Sequence, residues 1–296
     1  RAAEAGGPGN ARDFYRKAGA YETTFYGQLA LQKLGQTRLN VPYPSPTAAD
    51  RTNYQRNPAV QAIARLEAVG HGWRADSLYR ALAEQLTSPG ELALLAYQAE
   101  KDRSHSLSLQ VGKIAYGRGL DVAALAFPIG VIPTNANISG SGMALAYAIA
   151  RQESAFNPGA VSPADARGLL QLLPTTAQRV ASRHGLSYSA SRLTGDPAYN
   201  ATLGAHYLGE QIDRFGGSYI LTFVAYNAGP ARVPQWIERF GDPRGKNLDF
   251  VIDWIESIPY PETRNYVQRI MENYEIYKAR LDQPTDIARD LIYGRT

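Results

Sequence analysis

The chain has 296 residues, of which 44% are hydrophobic and 20% charged, a composition typical of a globular protein with one large or two modest domains. It contains no cysteine, which excludes disulfides, thiol catalysis and cysteine metal sites, and no apolar run approaches the roughly 20 residues that cross a bilayer. We therefore expect no membrane span. The net charge of +4 is dispersed without a basic run, so we expect no nucleic-acid partner either.

The first half of the chain predicts short helices. Aromatic and leucine residues between residues 11 and 35 indicate a helix pair broken near Gly19, and residues 39–58, rich in proline and polar residues, are interpreted as a linker. Residues 59–119 contain several apolar patterns at helical spacing, in the manner of an α-solenoid but without a fixed sequence period. Strand signals are scarce, so the predicted fold class is mostly α.

A boundary is predicted in the segment "AFPIGVIPTNANISGSG" (residues 126–142), which concentrates proline, asparagine, glycine and serine. Residues 1–133 are therefore predicted to form a helical N-terminal region, and residues 134–296 a second domain. Longer helices follow the boundary. One of them is expected to start at Asp196 and Pro197, a favourable pair for a helix N-terminus, and the last long helix is expected over roughly residues 262–281.

Glu153 occupies an unusual position in "AIARQESAFNPG". On a helical wheel it shares a face with the apolar residues Ala146, Ile149 and Ala150, while "NPG" must end the helix a few residues later. Burial and the negative end of the helix dipole both disfavour the ionised carboxylate, so its pKa is expected to rise. Such a carboxyl group can act as a general acid, although a lone carboxylate of this kind is more commonly a cap or an ion-pair partner.

Two further polar positions bear on whether Glu153 is a general acid or a structural residue. Gln171 stands among leucines in "GLLQLLP", where a buried amide must be hydrogen-bonded or must point into a cleft. Tyr226 and Asn227 in "VAYNAGP" end another apolar helix, where a capping loop is the simpler interpretation for these residues considered alone.

Taken in order and with their spacing, "ARQESAFNPGAVSPADARGLLQLLP", "VAYNAGP" and "ESIPYPETRNYV" resemble the catalytic domain of the soluble lytic transglycosylases, relatives of goose-type lysozyme. The resemblance covers about residues 137–281. A weaker likeness of "TTFYGQLAL" to the end of the helical superhelix of those enzymes implies that the N-terminal region is a superhelix remnant and linker domain. The implied second domain is a lysozyme-like α-helical catalytic domain.

The resemblance also implies roles for individual residues. Glu153 matches the single catalytic acid and base of the family, and Tyr226 matches the tyrosine whose hydroxyl positions that carboxylate. Leu170 and Leu173 stand where the family often has methionines. The implied substrate-binding residues in the cleft are Ser162, Gln171, Leu173, Asn227, Glu256 and Tyr266.

The implied activity is cleavage of the β-1,4 bond between N-acetylmuramic acid and N-acetylglucosamine in peptidoglycan. Glu153 would protonate the glycosidic oxygen and then deprotonate the muramic acid 6-hydroxyl, which closes onto C1 to give a 1,6-anhydro end without water. Peptidoglycan strands are then the expected partner and the periplasm or cell envelope the expected location. No cofactor is expected, and the spacing of His71, His105, His184 and His206 predicts no metal site.

Two alternatives stay open. A hydrolase of the goose-type lysozyme kind would use the same glutamate to activate water, and a non-catalytic peptidoglycan-binding helical scaffold would not cleave at all. Asp165, Asp196 and Glu256 are possible second carboxylates, and no spacing argument selects one of them as a nucleophile.

Overall fold

The computed structural model describes residues 2–295. Within that range the chain forms α-helices, two short 3₁₀ turns at Gly72–Ala75 and Ala123–Ala126, and no β-strand. The helices are α1 Ala11–Gly19, α2 Phe25–Lys33, α3 Ala48–Arg56, α4 Pro58–Ala68, α5 Asp76–Gln85, α6 Pro89–Asp102, α7 His105–Gly117, α8 Met143–Ser154, α9 Pro174–Arg183, α10 Arg192–Gly195, α11 Pro197–Arg214, α12 Tyr219–Ala228, α13 Arg232–Phe240, α14 Leu248–Glu256, α15 Pro261–Arg280 and α16 Ile287–Tyr293. The predicted mostly α fold class is confirmed.

The N-terminal helices follow the predicted pattern with one exception. The expected pair separated near Gly19 is present as α1 and α2, and each begins at a side-chain cap, Asn10 and Thr24 respectively. The expected linker over residues 39–58 is wrong in its second half, because α3 forms there. Thr47 and Asp50 build a reciprocal capping box that starts this helix and offsets the weak helix preference of its polar sequence.

The described residues form two large apolar cores and a smaller one around Leu172, Leu193 and Leu203. One belongs to helices α3 to α7 and is built around Ile63, Tyr79 and Leu95. The other large core surrounds α8, α12 and α15, with α15 packed against both α8 and α12. This second core also contains Phe25 and Leu29 of α2, so the start of the chain packs on the helices of its second half. The division at residue 133 stays a prediction.

Helix α15 is the central element of the larger core. It packs along α8 and α12, and the ring of Tyr277 stacks on Tyr147 of α8 with centroids 5.2 Å apart. The tyrosine and isoleucine residues on its buried face fix the direction in which its polar residues project. The start of α15 is thereby held beside the C-terminal end of α8. No helix in the range 2–295 is long and apolar enough to cross a membrane.

Candidate active site

The last turn of α8 carries Glu153, as the wheel predicts. Ala146, Ile149 and Ala150 are buried on the same face, and the Glu153 side chain is half-buried. The helix ends because Ala155 and Phe156 both adopt left-handed conformations, with φ of 48° and 62°. Phe156 is itself buried in the core, and this packing compensates for a backbone conformation that is unfavourable outside glycine.

The neighbouring Arg151 lies on a different face of α8 from Glu153, and it also contacts the rest of the protein. Its guanidinium donates to the carbonyl oxygen of Ala126 and to Oδ1 of Asn273, both at 2.9 Å, and lies 4.1 Å from the Phe127 ring centroid. A helix of a multilayered protein has neighbours on more than one face, which a single-helix wheel does not represent. Arg151 thus joins α8 to α15 and to the segment before α8.

A cavity of about 340 Å³ opens beside Glu153. It lies between the end of α8, the end of α12 and the first turns of α15. The residues that line it are Gln152, Glu153, Asn227, Glu262, Asn265, Tyr266 and Arg269. Of the residues predicted for the site, Glu153, Asn227 and Tyr266 therefore meet at one cavity.

The Glu153 carboxyl group has an acid strength suited to proton transfer near neutral pH. Its burial raises the pKa to about 7, and the negative charge of Glu262 acts in the same direction. The hydroxyl of Tyr266 donates a hydrogen bond to Oε1 of Glu153 at 2.6 Å, which opposes the rise because it favours the ionised form. Burial has the larger effect, so the carboxyl group exchanges its proton close to pH 7.

Tyr226 does not make the hydrogen bond to Glu153 that was expected of it. Its hydroxyl donates to the carbonyl oxygen of Leu170 at 2.6 Å, and Tyr266 is the tyrosine that bonds the carboxylate. The ring of Tyr226 is tilted against Tyr207, with centroids 5.3 Å apart, and its hydroxyl meets the "GLLQ" loop. Burial raises the pKa of Tyr226, and the negative charge of nearby Glu153 adds to the rise.

The loop between α8 and α9 is held by its own polar side chains. The Ser162 hydroxyl accepts the N–H of Ala166 at 3.0 Å. Gln171, in a left-handed conformation with φ of 48°, donates from Nε2 to the carbonyl oxygens of Ala160 at 3.1 Å and Gly168 at 2.9 Å. The amide nitrogen of Gln171 is therefore used by the fold, while its Oε1 stays available to a ligand.

Asn200 anchors the other side of this loop. The buried side chain of Asn200 accepts the N–H of Leu170 at 2.9 Å and donates to the carbonyl oxygens of Arg167 and Leu193. Gly168 is required at this point, since a β-carbon would lie 2.1 Å from the Leu193 oxygen and φ is 78°. Leu173, at the end of the loop, is 42% exposed and precedes α9.

Glu256 lies apart from the Glu153 cavity. Its carboxylate accepts hydrogen bonds from Tyr26 of α2 and from Nε2 of Gln268, and it lines a different, apolar cavity between α1, α2 and α14. Glu262 is the second carboxylate beside Glu153, and it was not predicted from the sequence as a site residue. The available signal was its spacing from Tyr266, because residues four apart share one face of a helix.

The other carboxylates considered as partners of Glu153 are engaged elsewhere. Asp165 pairs with Arg167, and Asp196 caps α11 while it pairs with Arg192. Neither lines the cavity. Asn227 accepts a hydrogen bond from Thr263 at 2.7 Å, which ties the end of α12 to the first turn of α15.

The histidines do not assemble into a metal-binding cluster. His184 and His206 stack with centroids 4.0 Å apart, and His184 contacts Glu210 at 3.0 Å. Across residues 2–295 there is no group of three or more histidine, cysteine, aspartate or glutamate side chains placed to hold a metal ion.

Comparison with known families gives two matches. Residues 131–248 match the Transglycosylase SLT domain, and residues 257–285 match the Soluble lytic transglycosylase helical domain. The first match contains Glu153, the "GLLQ" loop and Tyr226. The second contains Glu262, Tyr266 and Arg269, so the walls of the cavity are shared between the two matched segments.

Curated proteins and solved structures show the same likeness. The chain is 35% identical over 264 residues to a putative soluble lytic murein transglycosylase of Haemophilus influenzae, covering 86% of this chain and 42% of that protein. It is 40% identical over 142 residues to the soluble lytic murein transglycosylase of Escherichia coli K12, covering 47% of this chain and 21% of that one. The chain thus spans less than half the length of these relatives.

Among solved structures, the 70 kDa soluble lytic transglycosylase of E. coli superimposes with a TM-score of 0.73 at 27% identity, covering 96% of this chain and 45% of that one. A lytic transglycosylase of Pseudomonas aeruginosa, solved as an inactive mutant, gives a TM-score of 0.70 at 28% identity, covering 94% and 44% of the two chains. The likeness extends over nearly all of the present chain, including helices α1 to α7.

Proposed function

Because this chain belongs to the soluble lytic murein transglycosylase family, we propose that it cleaves the β-1,4 bond between N-acetylmuramic acid and N-acetylglucosamine in peptidoglycan and leaves a 1,6-anhydromuramic acid end. Peptidoglycan glycan strands are the substrate, and the periplasm or cell envelope, where that polymer lies, is the site of action. The observation that carries the proposal is the half-buried Glu153, whose pKa of about 7 suits it to both giving and taking a proton.

The first step is protonation of the leaving group. Glu153, protonated near neutral pH, donates its proton to the glycosidic oxygen while the bond between that oxygen and C1 of muramic acid breaks. The acetamido group of the same sugar stabilises the positive charge that develops at C1. Tyr266 stabilises the resulting Glu153 carboxylate through its hydrogen bond of 2.6 Å. This donor is already in place before the proton is transferred.

The second step reverses the role of the same group. The Glu153 carboxylate removes the proton from the muramic acid 6-hydroxyl, the oxygen bonds to C1, and the anhydro ring closes. Glu153 regains the proton that it gave up, so the cycle consumes no water. A pKa near the working pH serves both steps, because a stronger acid would be a poorer base and the reverse.

The remaining residues form the walls of the cleft in this proposal. Asn227, Tyr266, and the Glu262 missed from the sequence line the cavity directly. Ser162, Gln171 and Leu173 do not line this cavity; we propose that their loop forms the opposite side of the cleft, where Oε1 of Gln171 would accept an acetamido N–H. Tyr226 acts through that loop, since it holds the Leu170 carbonyl. Glu256 acts at the contact with α2 rather than at the substrate.

Replacing Glu153 by glutamine tests the assignment. Glu153→Gln keeps the size of the side chain and a hydrogen-bonding group for Tyr266 but removes the transferable proton. We expect release of soluble muropeptides from purified peptidoglycan to fall by about a hundred- to ten-thousandfold, with co-sedimentation on peptidoglycan retained. Glu256→Gln is the matched control and keeps most of the activity. Near-normal turnover by Glu153→Gln would remove the basis of the mechanism.

A further inference from the structure

A second cavity lies at the other end of α15 and shares no lining residue with the Glu153 cavity. Its volume is about 240 Å³, and it opens between α6, the start of α7, the segment before α8 and the C-terminal end of α15. Its lining includes Tyr43, Tyr97, Glu100, Ile129 and Arg280. Arg280 follows Tyr266 by fourteen residues of α15, which at 1.5 Å per residue is about 21 Å, so the two cavities are far apart.

Two opposite charges line this cavity without pairing with each other. Glu100 lies on α6 and Arg280 at the end of α15, and both side chains are partly buried. Arg280 forms no ion pair with any of the residues that the structure describes. Its Nε donates instead to a neutral acceptor, the carbonyl oxygen of Phe127, at 3.3 Å. The guanidinium is therefore held in place without a carboxylate partner.

The carboxylate of Glu100 also lacks a cation of its own. Its contact is with Nδ1 of His105 at 3.7 Å, which is too long for a hydrogen bond. Burial lowers the pKa of His105 below its ordinary value, so the ring is mainly neutral at pH 7. This Nδ1 atom is buried and has no hydrogen-bond partner within the described part of the chain. His105 thus leaves the negative charge of Glu100 unbalanced.

Partial burial is unfavourable for both of these charges. It raises the pKa of Glu100 and lowers the pKa of Arg280. Buried charges are normally paired, because an opposite charge must compensate for the water that each has lost. A ligand that brings a cation to Glu100 and an anion to Arg280 compensates both side chains at once.

Two tyrosine rings stand beside these charges. The hydroxyl of Tyr43 contacts the carbonyl oxygen of Ala93 at 3.5 Å, and Ala93 precedes Tyr97 by one turn on the same face of α6. The Arg280 guanidinium carbon lies 5.3 Å from the centroid of the Tyr43 ring. Tyr97 is 61% exposed at the mouth of the cavity. Aromatic faces attract ammonium groups and pack against the apolar part of a small ligand.

We propose that this cavity binds a small zwitterion, a free apolar amino acid or a dipeptide, with its carboxylate on Arg280 and its ammonium on Glu100. A guanidinium holds a carboxylate through two parallel hydrogen bonds, and an ammonium donates to carboxylate oxygens. The apolar side chain of the ligand packs against Tyr97 and Ile129. The volume of about 240 Å³ is below that of sites for drug-sized ligands and suits one or two residues.

NMR titration of the whole chain with leucine and two blocked derivatives tests the charge pairing. Leucinamide lacks the carboxylate, and N-acetyl-leucine lacks the ammonium. We expect each derivative to bind with a Kd about tenfold higher than that of leucine, the effect of losing one charge-assisted hydrogen bond. Leucyl-alanine separates the two charges further, so the tighter binder of leucine and leucyl-alanine identifies the ligand as a free amino acid or a dipeptide. Equal affinity for leucine and both blocked derivatives, or no binding of any probe, overturns the proposal.

Substitutions assign each charge to its residue. Arg280→Gln should raise the Kd of leucine about tenfold and leave that of leucinamide unchanged, and Glu100→Gln should raise the Kd of leucine while leaving that of N-acetyl-leucine unchanged. Tyr97→Ala, at an exposed position that the fold does not depend on, should weaken binding of all three compounds. Tyr21→Ala, at a tyrosine that is 67% exposed and outside the cavity, is the matched control and changes none. Unchanged leucine binding in Arg280→Gln, Glu100→Gln and Tyr97→Ala would contradict the assignment.

Discussion

The two tyrosines beside Glu153 have different tasks, although both carry hydroxyls in the same region. Tyr266 bonds the carboxylate itself, while Tyr226 bonds the backbone of the loop opposite. The buried position of Glu153 and the upward direction of its pKa shift were predicted from the helical wheel and the end of the helix. The choice between Tyr226 and Tyr266 depends on how α12 and α15 are rotated against the loop, and that rotation is set by packing in the folded protein, not by residue spacing.

Removing the Tyr266 hydroxyl should shift the pH profile of activity upward. The hydrogen bond favours ionised Glu153, so its loss in Tyr266→Phe raises the pKa of Glu153 further above 7. The acid form then persists to higher pH, and the alkaline limb of the rate profile should move up by roughly half a unit to one unit. The measurement is the initial rate of muropeptide release across pH.

Tyr226→Phe is the control for this shift. It removes the hydrogen bond to the Leu170 carbonyl and should lower the free energy of unfolding by about 1 kcal/mol while leaving the alkaline limb in place. A shift of the limb in Tyr226→Phe with none in Tyr266→Phe would reverse the assignment of the two residues.

At the scale of elements, the junction of α15 and α16 depends on a buried ion cluster. Nζ of Lys278 contacts Glu275 at 2.9 Å and Asp290 of α16 at 2.5 Å, and all three side chains are buried. Burial raises the pKa of Glu275, and the nearby Asp290 adds to the rise. The ammonium of Lys278 thus bridges the two carboxylates, and Arg289 contacts Asp290 at 3.2 Å as a second cation.

Lys278→Met should be strongly destabilising. It leaves buried Glu275 without its cation and Asp290 with Arg289 alone, and we expect a loss of about 3–5 kcal/mol in the free energy of unfolding at pH 8. The loss should shrink toward pH 4, because Glu275, whose pKa is raised, is then protonated and no longer needs a cation. Urea unfolding at the two pH values measures it, with Lys17→Met at an exposed position of α1 as the control. Equal stability of the two variants at pH 8 would contradict the account of this junction.

The ends of the helices show which boundaries can be predicted from sequence. Asp196 and Pro197 start α11 as predicted, and α15 runs over Pro261–Arg280 where residues 262–281 were expected. These signals are local, because a cap or a proline acts within one turn. Helix α3 was not predicted because its polar sequence has no apolar periodicity. Its capping box also follows a proline-rich segment, which favoured a linker.

At the scale of the whole molecule, the beginning of the chain packs against the helices of its second half. Phe25 and Leu29 lie in the core of α8, α12 and α15, and the Phe25 N–H donates to Glu272, about three turns beyond Glu262 on α15. A prediction from sequence orders segments along the chain and cannot show which distant segments share a core. The packing of α2 against α15 is therefore a finding of the structure.

Truncation of Phe25 tests this coupling. Phe25→Ala opens a cavity in the larger core, and we expect a loss of about 3 kcal/mol in the free energy of unfolding, together with reduced muropeptide release at 37 °C. Phe14→Ala, at a phenylalanine of α1 that is 51% exposed, should change stability by less than about 0.5 kcal/mol. Unfolding confined to the N-terminal helices in Phe25→Ala would show that the two halves are energetically independent.

The chemistry of the products tests the central claim most directly. Purified peptidoglycan is digested with the protein and, in parallel, with Glu153→Gln, and the released muropeptides are weighed by mass spectrometry. If Glu153 is the single acid and base, the released muropeptides carry 1,6-anhydromuramic acid ends. These ends are absent from the Glu153→Gln digest. Reducing muramic acid ends, heavier by one water molecule, would identify a hydrolase, and binding without any release would identify a scaffold; either result contradicts the account.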